Sequence, residues 1–174
     1  MRKRLDMRFA NGVVSAAIVV FFLVHATLGT LLGLVGFLSP FTWLVWVGVA
    51  LIGVHVALSI FTSREQLTDL ERPPSPRKKR HLVLKWATGG LLALVAVAHV
   101  VAIRLGGMAA VYSTVTGALL TACLAVVLAV HLCVGSKSLL KDLNISRRYK
   151  LAFRLVVCAF AAFFAISALV GAIL

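Results

Sequence analysis

Four histidines lie inside long apolar runs of this 174-residue chain: His25, His55, His99 and His131. A fifth, His81, follows the basic run Arg77-Lys78-Lys79-Arg80 and reads as a solvated side chain. An imidazole among aliphatic residues needs a partner, whether a polar group on another helix, a proton path or a metal. Which of these applies depends on whether the four meet, and that is set by the runs that carry them.

Five stretches, roughly 10–37, 41–62, 83–104, 112–135 and 151–173, are each apolar for about the 20 residues a helix needs to cross a bilayer. The chain is 61% hydrophobic and 13% charged, with a mean hydropathy of +1.05. Soluble domains do not carry that balance. The expected fold is an all-α membrane protein, residues 1–174 forming a single transmembrane domain of five helices. The first run is too long, and lacks the small-residue ending, for a cleaved signal peptide.

The formal charge of +13 would suit nucleic acid, but its distribution points to topology instead. Cations cluster before the first span, between the second and third, and between the fourth and fifth. Of the 18 lysines and arginines only Arg104 falls at the other ends of the spans. The five acids (Asp6, Glu65, Asp69, Glu71 and Asp142) share the basic side. This is the positive-inside pattern: the N-terminus is expected in the cytoplasm, the C-terminus outside, and the chain in the inner (cytoplasmic) membrane as a multi-pass protein with lipid as its surroundings. No nucleic-acid partner is expected. The link 63–82, with Arg72-Pro-Pro-Ser-Pro-Arg77, reads as a polar, partly extended cytoplasmic loop. The outer links, Phe37-Leu38-Ser39-Pro40 and the turn beginning Leu105-Gly106-Gly107-Met108, are minimal. No stretch outside the membrane is long enough to fold alone, so any soluble chemistry belongs to other subunits. Cys123, Cys133 and Cys158 sit within spans without C-x-x-C spacing, and small apolar packing is their expected role.

Helical rise turns sequence position into depth. From the cytoplasmic ends of their spans, His25 lies about 14 residues in (~21 Å) and His99 about 15 (~22 Å). His55 lies about 7 residues in (~10 Å) and His131 about 6 (~9 Å). The four therefore form two depth-matched pairs roughly 12 Å apart along the membrane normal, spans one and three outside, two and four inside. Two neutral imidazoles approaching from opposite helices can ligate one haem iron from both faces. Two such pairs would hold two b haems within helices 1–4, leaving no open coordination position, so the chemistry is electron transfer. Zinc is the rival metal, but it asks for three or four ligands converging on one point.

Glycines on the ligand faces would make room for a flat ring: Gly29, Gly33 and Gly36 with His25, Gly48 with His55, Gly106 with His99, Gly135 with His131. Ordinary small-residue helix packing explains the same pattern. Haem propionates would need cations at the edges. Arg64, Lys85 and Lys137 are the candidates for the inner ring and Arg104 for the outer.

The segment His131-x-x-x-Gly135-x-Lys137-x-Leu139-x-x-Asp142 resembles the H-x-x-x-G-x-R-x-L-x-x-D segment of succinate dehydrogenase cytochrome b subunits. In that family the histidine is a haem ligand near the cytoplasmic edge, and the basic residue after it serves the propionates or the quinone region. The whole chain is similar in pattern to the five-span, di-haem membrane anchors of succinate dehydrogenases and fumarate reductases, whose ligands pair first helix with third and second with fourth. The resemblance implies an electron-transfer and quinone-binding subunit that is not itself catalytic. It implies two b haems, a membrane quinone (menaquinone is the expected type), and iron–sulfur and flavoprotein subunits on the cytoplasmic side. Lys137 stands where relatives often have arginine, and Ser138 where some have a second histidine. No Asp or Glu lies in the outer half, so Thr42, Trp43, Tyr112 and Ser113 are the polar groups there, with Ser59 and Thr62 near the inner pair. Two other readings stand beside this one: a cytochrome b subunit of another quinone-linked oxidoreductase, of hydrogenase or formate dehydrogenase type, and a haem-free small membrane protein such as a transporter or assembly factor.

Overall fold

A computed structural model describes residues 2–35, 43–68, 74–112 and 114–171. Five α-helices fill them: α1 (Arg2–Val35), α2 (Trp43–Leu67), α3 (Pro76–Tyr112), α4 (Val115–Asp142) and α5 (Lys150–Gly171), with a single 3-10 turn at Arg147–Tyr149. No strand occurs among the described residues. All five helices are long and apolar enough to cross a membrane. The outer link 37–40, Gly36, Thr42 and Ser113 fall outside the described residues, as do the surroundings of Gly33, Trp43 and Tyr112. Leu105-Gly106-Gly107-Met108, expected to begin the other outer turn, instead continues α3, which runs to Tyr112; glycine weakens a helix by about 1 kcal/mol but does not by itself end one.

The helices overrun the expected spans at their basic ends. α2 continues to Leu67 and α3 already starts at Pro76, so most of the link expected to be an extended loop at 63–82 is helical. Charge ends the hydrophobic run but not the helix, because lysine and arginine are good helix formers. The true boundaries are caps. Pro76 occupies the first turn of α3, where its missing N–H costs nothing, and the Ser75 carbonyl accepts from Lys78 and Lys79 at 2.9 and 3.0 Å. At the start of α4 the Thr114 side chain accepts from the Gly117 N–H at 3.1 Å. At its end Asn144 takes a left-handed φ of 56°. The Ile145 N–H then reaches back to the Leu140 carbonyl (2.7 Å) and the Asn144 N–H to that of Lys141 (3.1 Å). This pair of bonds closes the last turn of the helix.

α4 is the central element. It packs most extensively on α3 and α5 and also touches α1, which in turn packs on α2. Around the ring the order is α2, α1, α4, α3, so α1 faces α3 across the bundle and α2 faces α4. The seam between α2 and α3 carries a bond from the Trp86 indole N–H to Ser63 Oγ, 3.2 Å. Among the described apolar residues only Ala118, Val127, Leu140 and Val157 are buried. Large aliphatic and aromatic side chains cover the outside, a surface that suits lipid and would aggregate in water. Hydroxyls within the spans turn back on their own helices, as Thr62 does to the Leu58 carbonyl at 2.9 Å and Thr121 to Gly117 at 2.9 Å. Arg154 of α5 donates from Nε to Ser136 Oγ (3.1 Å) and from a terminal nitrogen to the Cys133 carbonyl (2.9 Å), tying α5 to α4.

The closest approach at the basic end is α1 against the last turn of α4. A Cβ placed on Gly12 would lie 3.1 Å from Asp142 Cβ and 3.2 Å from its carbonyl carbon. Backbone cannot step aside as a flexible side chain can. Gly12→Leu should therefore destabilise the bundle by about 1–3 kcal/mol, whereas Gly53→Leu, on a glycine with nothing within 4 Å of an added Cβ, should be near neutral. Thermal unfolding in detergent compares the two.

Candidate functional site

His55 of α2 and His131 of α4 line the same cavity, from helices that face one another across the bundle. The cavity measures roughly 320 Å³, within the ~300–1,000 Å³ typical of small-molecule and cofactor pockets. All four bundle helices contribute to its walls, Ser15 from α1 and Gly89 from α3 among them. The two imidazoles are near enough for charge on one to be felt at the other.

Each ring is held from the side. Ser15 Oγ lies 3.1 Å from His55 Nδ1 and Thr88 Oγ1 lies 3.1 Å from His131 Nδ1. His131 also rests on the backbone of α3, where a Cβ on Gly89 would come 3.1 Å from its Cε1. A methyl group there would need the ring to give by a few tenths of an ångström, and a larger side chain would compete with it for space. Gly90 and Gly135 line the same space, and neither has a heavy atom within 4 Å of where its Cβ would be.

The basic end of the cavity is polar. Lys85 and Asp142 line it, together with Asn11, Ser59 and Ser63. Arg8 and Lys141 add positive charge close to the Asp142 carboxylate. Of the cations proposed for ring carboxylates, Lys85 is in the cavity wall, while Arg64 and Lys137 are exposed and outside its lining. Arg104 is exposed towards the far end of α3.

His25 and His99 lie on α1 and α3, the other two helices that face one another across the bundle. The His25 ring stacks on Phe21, centroids 5.9 Å apart and planes 7° from parallel. Phe21 is itself accommodated by α2: a Cβ on Gly48 would lie 2.6 Å from Phe21 Cε1. Gly48, expected to clear space for a ring beside His55, thus makes room for the phenyl that supports His25. His99 Nδ1 is buried and has no hydrogen-bond partner among the described residues.

A haem asks for two imidazoles from opposed helices, room for a flat ring and a cation near its carboxylates. The inner cavity supplies the two imidazoles and, in Lys85, the cation, so the chemistry of its residues suits the group. At the outer pair the orphaned Nδ1 of His99 is a buried donor or acceptor that needs a partner. Among the described residues no three His, Cys, Asp or Glu side chains gather as a zinc site would require. No protein-family model, curated protein or solved structure matches the chain.

Ser15, Thr88, Phe21 and Gly89 were not singled out from the sequence. A depth signal existed for the hydroxyls: Ser15 and Thr88 each lie about 5 residues, ~8 Å, inside the expected starts of their spans, close to the level of His55 and His131. Gly89→Leu should force the His131 ring out of the cavity wall. The expected result is a shifted His131 imidazole signal in the ¹⁵N-histidine NMR spectrum of the chain in lipid, with Gly53→Leu leaving that signal in place.

Proposed function

We propose that this chain is the di-haem membrane anchor of a succinate:quinone oxidoreductase, either a succinate dehydrogenase or a fumarate reductase. The observation that carries the reading is that His55 and His131, on opposed helices, line one cavity with Lys85 in its wall. Bound haem supplies one-electron transfer between a membrane quinone and an iron–sulfur subunit. The chain's own part is to hold and orient. His55 and His131 would present one nitrogen each to the inner iron, and His25 and His99 to the outer. Lys85 at the basic end would neutralise ring carboxylates, the glycines keep side chains out of the ring's plane, and the apolar walls exclude water. The orientation goes with the charge: the basic end lies in the cytoplasm of a cell whose inner membrane holds the chain. There the exposed cations form the docking face for the iron–sulfur subunit, which carries the flavoprotein where the dicarboxylate reacts. Menaquinone is the proposed quinone.

The full chain purified in detergent should give a b-type α-band on dithionite reduction, with two haems per polypeptide. His55→Ala with His131→Ala should leave one, and His25→Ala with His99→Ala should leave the other. Absence of the α-band sinks the haem reading and leaves a haem-free membrane protein. Retention of both haems in either double variant sinks the pairing. Copurifying subunits separate the haem-containing readings: a flavoprotein with an iron–sulfur protein on the basic side is expected, and a hydrogenase or formate dehydrogenase subunit on the opposite side would replace the proposal.

A further inference from the structure

The hydroxyls beside His55 and His131 have their hydrogens committed elsewhere. Ser15 Oγ is 2.7 Å from the Asn11 carbonyl oxygen one turn back. Thr88 Oγ1 is 2.9 Å from the Leu84 carbonyl and 3.1 Å from that of Lys85. Two oxygens at such separations repel unless a hydrogen lies between them, and a carbonyl has none to give. A hydroxyl owns a single hydrogen. In both cases it points back along the helix, so the oxygen faces the imidazole with lone pairs only.

The histidine must then be the donor. Nδ1 carries the proton in both rings, and a neutral imidazole protonated there keeps its lone pair on Nε2. The same result arises twice, on different helices, from one device: a hydroxyl bonded to a carbonyl of its own helix and accepting from a histidine of another. Chance polar packing has no reason to give both cavity histidines the same tautomer.

Building on the haem proposal, we infer that Ser15 and Thr88 are positioning residues that fix His55 and His131 as Nδ1–H tautomers, aim Nε2 at the inner iron and set how strongly it donates. A hydrogen bond from Nδ1–H orients a ligating ring and raises the basicity of the other nitrogen. A more basic ligand favours the ferric state, so these bonds lower the inner haem's potential. The outer site differs: His99 Nδ1 is buried without such an acceptor. The protein thus treats its two pairs unequally through two small hydroxyls.

Two measurements test this. In ¹⁵N-histidine-labelled chain prepared in lipid without haem, NMR should show His55 and His131 as Nδ1–H tautomers, assigned by their alanine variants. Ser15→Ala should release His55 and Thr88→Val should release His131, while Ser15→Thr and Thr88→Ser preserve the signals. Nε2–H tautomers in the unaltered chain overturn the inference whatever its haem content. In the haem-loaded complex, Ser15→Ala with Thr88→Val should keep both haems and shift one midpoint potential upwards. The haem that moves should be the one lost in the His55/His131 double variant, with its low-spin EPR signal altered. Both haems retained with neither potential moved overturns the tuning role and leaves the haem proposal standing. A chain without a b-type band overturns both.

Discussion

An imidazole inside an apolar bundle is costly unless its nitrogens find partners, and His55 draws on groups from other helices. Around the inner pair the bundle is arranged to meet that demand. α2 and α4 stand opposite one another so that His55 and His131 share a cavity. α1 and α3 approach from the sides and bring the Ser15 and Thr88 hydroxyls to the same rings. Hydrophobicity cannot choose this arrangement, because side chains facing lipid and side chains facing a neighbouring helix are equally apolar. With four buried apolar residues among those described, the specific geometry comes from polar contacts and glycine-permitted close approaches.

Those contacts concentrate towards the basic end. Asn11, Thr62, Ser63 and Ser136 are the buried polar residues among those described, and Gly12 meets Asp142 on the same side. The left-handed Asn144 fixes where the chain leaves α4. The exposed cations at this end therefore stand on a surface held by hydrogen bonds as well as by packing.

Much of this was legible before any coordinates. Runs of leucine, valine and alanine of the right length announced five helices, and counting residues from the charged ends put His55 and His131, which line one cavity, at one level. The helix ends were not legible, because hydropathy marks where a helix leaves lipid and not where it stops. Ser75, Thr114 and Asn144 are the residues that mark the stops. Gly48 shows a different limit. Its spacing from His55 suggested clearance for a ring, and the ring it admits is Phe21 from the neighbouring helix, which no count along one helix can reveal. Ser15 and Thr88 escaped because hydroxyls in membrane helices usually bond their own backbone. These do so as well, and still offer their lone pairs to a second helix.

Arg154 has a consequence that its distances alone do not state. Its partners, the Ser136 hydroxyl and the Cys133 carbonyl, are neutral dipoles, so the α4–α5 junction at this point contains no ion pair for dissolved salt to screen. The exposed cations at the same end of the molecule, Lys137, Lys141, Arg147 and Arg148, are in the opposite situation: whatever they hold, they hold through a field that falls off within about 8 Å at physiological ionic strength. Cationic side chains thus serve two kinds of attachment in this chain. Inside, Arg154 is a fastener that dissolved salt does not screen; at the rim, lysine and arginine form a grip that the surrounding solution can loosen.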